Sequence, residues 1–179
     1  MIRSMVAAVL ALMLAGCQWA SRNALLLASD RATPDISAEY FFQPNNNGAR
    51  VRISGRGDGD FQFTFLDSKK GDDTIVFTMA DLEGPASSGR PYLAQFREKD
   101  GHYEYLVVAV QEDTISLYMP KCAAYTAWKD VALNETKNRC EFQTRAALFK
   151  AAEDLTAAIA GAKYYTSGTM TLMRVPKPS

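Results

Sequence analysis

Histidine occurs once in this chain, as His102, and cysteine three times, as Cys17, Cys122 and Cys140. That is too few side chains for a multi-ligand zinc cage of the usual Cys/His kind. No C-x-x-C spacing or neighbouring histidine marks a redox or metal pair either. His102 closes the run Lys99-Asp100-Gly101-His102, which reads as a hairpin tip. A general base needs a dry cleft and an orienting partner, so His102 is read as an exposed turn residue. Gly84-Pro85-Ala86-Ser87-Ser88-Gly89 lacks the G-x-S-x-G spacing and the strand-to-helix setting of a serine nucleophile elbow. Gly55-Arg56-Gly57-Asp58-Gly59-Asp60 joins two strands, whereas a phosphate-cradling loop opens a helix. The ligand count that calcium requires is not visible beside Asp58 and Asp60. Both segments read as connections.

The adjacent acids Asp72-Asp73, Glu112-Asp113 and Glu153-Asp154 make poor catalytic dyads. Neighbours on a strand point to opposite faces and neighbours on a helix diverge by roughly 100°. Asn134-Glu135-Thr136 matches a glycosylation sequon. Phe61, Phe63, Phe65, Tyr103 and Tyr105 have strand spacing, and two readings stay open for them: plain core, or the lining of a ligand cavity. No catalytic, cofactor-binding or metal-ligating residue is assigned, and no cofactor is expected. The chain reads as non-enzymatic, the alternative being a hydrolase or isomerase whose acids only the fold brings together.

The front of the chain is an address. Arg3 precedes the uncharged run from Met5 to Leu14, the plan of a secretory signal. The run is well short of the ~20 residues that span a bilayer. Leu14-Ala15-Gly16-Cys17 then resembles the lipobox of bacterial lipoproteins. The resemblance covers these seventeen residues and implies a signal peptide over 1–16, removed so that Cys17 becomes a diacylated first residue. Two or three acyl chains hold a protein durably, at about 0.8 kcal/mol for each buried methylene. In this class Asp after the cysteine retains the protein in the inner membrane. Gln18 stands there instead, which implies the outer membrane with the domain facing the periplasm. With Cys17 lipidated and the compartment oxidising, Cys122 and Cys140 are left to form one structural disulfide. Closing a loop of roughly 18 residues stabilises by about 3 kcal/mol.

Elements follow from the hydrophobic period. Residues 17–36 read as a lipidated N-terminus and linker, with Ala24-Leu25-Leu26-Leu27-Ala28 packing on the domain. From there to about residue 119 the period is mostly two, so strands are predicted. They are Arg50–Ser54, Phe61–Phe65, Thr74–Met79, Tyr92–Arg97, Tyr103–Val110 and Thr114–Met119. Gly and Asn runs between them supply tight turns. Strands joined so tightly are antiparallel. Residues 122–133 are read as containing a short helix and Asn134 to Arg139 as an exposed loop. Leu148, Ala152, Leu155 and Ile159 then step by four, three and four, one helical stripe. Thr144 is placed as its N-cap and Gly161 as its C-cap. A last strand, Thr169–Val175, returns beside the meander as an edge or closing strand.

The fold class is therefore mainly β with one late helix: an antiparallel meander of seven or eight strands in a single domain over 37–179. A small barrel and a strongly twisted open sheet remain alternatives. The layout resembles the lipocalin or calycin barrel plan, without any sequence motif of that superfamily. Lys plus Arg and Asp plus Glu both number 20. This balance excludes a strongly basic nucleic-acid binder. The function expected is a binding or assembly module with membrane lipid, and an envelope protein, as partners. The alternative is a carrier of a small apolar ligand, which calls for a lumen of at least about 300 Å³.

Overall fold

The computed structural model describes residues 18–43, 49–66, 74–85, 89–134, 139–161 and 166–176. The expected signal peptide over 1–16 and Cys17 lie outside the described residues, as do the predicted turns at 45–48 and 69–73. Among the described residues eleven strands are formed: β1 Gln18–Ser21, β2 Ala38–Gln43, β3 Arg50–Gly55, β4 Phe61–Phe65, β5 Thr74–Asp81, β6 Arg90–Arg97, β7 Tyr103–Val110, β8 Thr114–Pro120, β9 Val131–Asn134, β10 Arg139–Phe142 and β11 Thr166–Arg174. One α-helix, α1, runs Arg145–Ala160.

Strands β2 to β8 follow one another as antiparallel neighbours, and β11 pairs antiparallel with both β8 and β2. The ring closes into an eight-stranded antiparallel barrel. Closure decides between the two predicted architectures, and the returning strand is what achieves it. That strand starts at Thr166, three residues earlier than its alternation suggests, and ends at Arg174. Two hairpins need a left-handed residue and have a glycine there, Gly59 at φ 84° and Gly101 at φ 88°.

Three short strands were illegible from the sequence and leave the barrel as a flap. Strand β7 pairs with β6 along one edge. Its other edge is shared, Val107–Val110 bonding to β8 and Tyr103–Tyr105 to β1. Beyond β1 come β10, in parallel, and β9, antiparallel to it. The first four described residues of the segment read as a linker, Gln18–Ser21, are thus built into the sheet, with Trp19 and Ala20 fully buried. The helix expected within 122–133 is a single 3-10 turn, Cys122–Ala124, followed by β9. Arg139–Phe142, read partly as loop, is β10.

Alternation along the barrel strands creates two cores. Facing inward, Tyr40, Phe42, Val51, Ile53, Phe61, Phe65, Met79, Tyr92, Val108, Ile115 and Leu172 fill the lumen. Facing outward from β6 and β7, Leu93, Tyr105, Val107 and Ala109 meet the α1 stripe Leu148, Ala152, Leu155 and Ile159. The second half of β7 is apolar on both faces because both are covered. The α1 start is capped by the Thr144 hydroxyl, which accepts from the Ala147 N–H. The flap adds an aromatic cluster in which Trp19 packs edge-on against Tyr125 and Phe142, at 5.1 and 5.2 Å between ring centroids.

Candidate functional site: an apolar lumen with a charged rim

The lumen is lined by Ile36, Phe42, Phe63, Phe65, Phe77 and Phe96, with further Ile, Leu, Val, Ala and Met side chains, and no polar atom reaches its surface. One end is sealed. Ile36 is buried there, its carbonyl accepting from the Tyr40 hydroxyl at 3.0 Å, and Arg174 donates to the Asp35 carbonyl at 3.1 Å. Further along the lumen Phe63, Ile75, Leu106, Leu117 and Met170 are only half-buried; the connections at this second end, termed the mouth, include 44–48, 67–73 and 162–165, which lie outside the described residues. Outside, β2 and β3 present Glu39, Arg50 and Arg52 in an exposed ion-pair group.

The cavity in the lumen measures about 80 Å³. This is below the about 300 Å³ of a drug-sized ligand site. Among the described residues that line the cavity none is ionisable, so it offers an apolar group apolar contacts.

Beside the mouth, on the lumen side of the flap, lies the buried charge of the molecule. Arg139 donates from Nη2 to Glu104 Oε1 at 2.8 Å, from Nη1 to Asp100 Oδ2 at 3.1 Å and from Nε to Gln18 Oε1 at 3.2 Å. Burial pushes the Glu104 carboxyl up to about 7, with Glu98 and Asp100 adding to the rise and Arg139 opposing it. The pair crosses from β7 to β10 and locks the flap to the barrel. On the other face of β7 the Tyr105 hydroxyl meets Ser21 Oγ at 2.7 Å and donates to Gln95 Oε1 at 3.1 Å. The same Gln95 oxygen accepts from the backbone N–H of Leu25 and Leu26. These bonds pin the Leu-rich segment onto the domain, as its sequence suggests. Burial pushes the Tyr105 phenol up to about 12, so it stays protonated and able to donate.

The residues singled out in the sequence are scattered. Cys122 and Cys140 are joined, with Cα atoms 5.4 Å apart, a usual separation for a disulfide. Phe61, Phe63 and Phe65 face the lumen, but Tyr103 and Tyr105 do not. They point from β7 into the outer core, because Tyr105 lies one residue out of phase with Leu106. His102 follows the β6–β7 turn with its Nδ1 3.3 Å from Asp100 Oδ1, and its side chain is 23% exposed, less than a turn tip suggests. Gly55–Asp60 is a hairpin held by the Arg56 N–H on the Asp60 carbonyl at 2.7 Å. Glu112 and Asp113 are exposed, and Asp154 pairs with Lys150 on the helix surface. Asp72-Asp73, Ala86–Ser88 and the sequon after Asn134 lie outside the described residues. Among the described residues no three His, Cys, Asp or Glu side chains are grouped to hold a metal. The Glu104–Arg139 pair was missed, since no local pattern joins residues on two strands that are not consecutive.

Fold and site together define a small closed antiparallel barrel with an apolar interior, a fold compatible with a lipocalin-like binder. Compared with family models, curated proteins and solved structures, the chain matches none significantly.

Proposed function

We propose that this is a lipid-anchored lipoprotein of the cell envelope, held by acylated Cys17 in the outer membrane and facing the periplasm. Its barrel would act as a non-enzymatic binding module for a short apolar group. The observation that carries this reading is the lumen: a wholly apolar interior, sealed at one end and half-exposed at the other. A cavity of about 80 Å³ takes only a few carbon atoms. This favours a binder of a short apolar ligand over a carrier that encloses a large one. The lipobox and the disulfide suit an oxidising compartment.

The test is a methyl-resolved NMR titration of the mature protein with benzene, octanoate and palmitate. Shifts confined to lumen methyls such as Ile53 and Ile115, with benzene or octanoate, are expected. Shifts on the barrel exterior only, or none, would refute the binder. Fatty-acid labelling checks the anchor: wild type takes label, and Cys17→Ala is unlabelled and soluble. A pull-down from detergent-solubilised envelopes reports whether a protein occupies the mouth instead.

A further inference from the structure

We infer that a polar cleft on the lumen side of the flap holds the head of the lumen's ligand, and that this head is a primary ammonium. The ligand class is then a short-chain alkylamine with its tail in the barrel. The inference deepens the apolar-binder reading above and rests on it. The cleft measures about 470 Å³ and is lined by Arg22, Asp100, Gly101, His102, Asn134 and Glu141. Cross-strand pairing joins it to the lumen. Phe96 of β6 pairs with Glu104 of β7, Glu104 with Ala20 of β1, and Ala20 with Glu141 of β10. Residues so paired share one face of the sheet, so a single row leads from Phe96 in the lumen wall to Glu141 in the cleft wall. The row covers three strand spacings, about 14 Å. Ala20 carries nothing beyond its Cβ to divide the two ends.

Charge selects the head. Glu104 Oε1 and Asp100 Oδ2 share the Arg139 guanidinium at 2.8 and 3.1 Å, and the side chains of Glu104 and Arg139 are only 6% and 9% exposed. Glu141 accepts from Asn134 Nδ2 at 3.0 Å and meets the solvated Arg22 only at 4.0 Å. Lys99 is exposed on the turn. Glu98, Asp100, Glu104 and Glu141 are thus set against one buried cation, Arg139. Burial, with Glu98 and Asp100 adding to the rise, keeps the Glu104 carboxyl at about 7 despite Arg139, so one guanidinium does not offset the acids around it. An alkanoate head would add a like charge. An ammonium supplies a compact cation with three donors. It stays out of the lumen, whose described lining offers a charge no partner.

A methyl-resolved NMR titration at pH 8 with hexylamine, 1-hexanol and hexanoate tests this, since the three share a tail and differ in the head. The full mature chain with Cys17→Ala is used, so that no acyl chain competes for the lumen. Hexylamine is expected to bind at least about tenfold more tightly than hexanol, and hexanoate least. All three should shift the Ile53 and Ile115 methyls. Hexylamine alone should move the titration of the Glu104 carboxyl carbon to lower pH. Asp100→Asn with Glu141→Gln should bring hexylamine down to the affinity of hexanol. If that pair does not fold, Asp100→Asn alone, on the exposed turn, should weaken hexylamine at least about threefold. Equal affinities, or a preference for hexanoate, overturn the head assignment and leave the lumen reading standing. Hexylamine shifts in the cleft without shifts of the lumen methyls overturn it as well, since cleft and lumen are then not one site. If none of the three moves a lumen methyl, the apolar-binder reading fails and this inference falls with it.

Discussion

The two cores share strands β6 and β7 but are built by different rules. The inner one is hydrocarbon and aromatic throughout, its phenylalanines packing directly on one another, as with Phe61 and Phe77 at 5.5 Å. The outer core is stapled by Cys122–Cys140 and threaded by the Tyr105–Gln95–Ser21 bonds. It is covered by α1, whose stripe residues Leu148, Ala152 and Leu155 are fully buried. The contrast teaches a division of labour. The outer core fixes the architecture, including the entry of the chain. The inner core rests on apolar and aromatic packing.

The largest effect should come from the outer side. Trp19→Ala removes a fully buried ring and its two edge contacts, and should destabilise by about 3–5 kcal/mol in urea unfolding. An equally stable variant would erase the distinction between the cores. Arg139→Met leaves Glu104 and Asp100 without their cation and should cost about 3–5 kcal/mol at pH 8. At pH 5 the loss should be smaller, because Glu104 is then protonated. In the wild type the sign is set by the raised carboxyl: the folded form holds its proton up to about pH 7, the unfolded form only to its ordinary value of 4.5. Stability should therefore fall as pH rises through that window, by up to about 3 kcal/mol, and Glu104→Gln should flatten the slope. Converting both Cys122 and Cys140 to Ser should cost about 3 kcal/mol, lowering the midpoint of the same unfolding curve. Phe63→Ala, at the half-exposed mouth, should cost only about 1–2 kcal/mol. It should also enlarge the lumen, so octanoate should bind more tightly to the variant in the NMR titration. A loss as large as that of Trp19→Ala would show the mouth to be structural rather than permissive.

Much of the barrel was legible because period-two alternation is local. Val51 and Ile53 against Arg50 and Arg52 announce β3, and Phe61, Phe63 and Phe65 announce β4. The helix was equally plain, from its stripe to its Thr144 cap. What escaped notice were elements with no period of their own. Gln18–Ser21, Val131–Asn134 and Arg139–Phe142 each have four residues, too few to display alternation. They are strands only because β7 offers the spare edge of Tyr103–Tyr105. The mouth residues were visible as strand apolars, but nothing local separates a residue lining a lumen from one filling a core.

Side-chain pattern along the chain thus determined the strands of the meander, the late helix and the pairing of neighbours, since each depends on residues a few positions apart. The proposed lipid attachment is likewise an expectation drawn from four adjacent residues. Only the tertiary structure decided that β11 closes the ring, that Tyr105 faces the helix rather than the lumen, and that Arg139 reaches Glu104 across β1. These contacts join residues far apart in sequence. Their energies come from which surfaces the closed barrel brings together and which water it excludes.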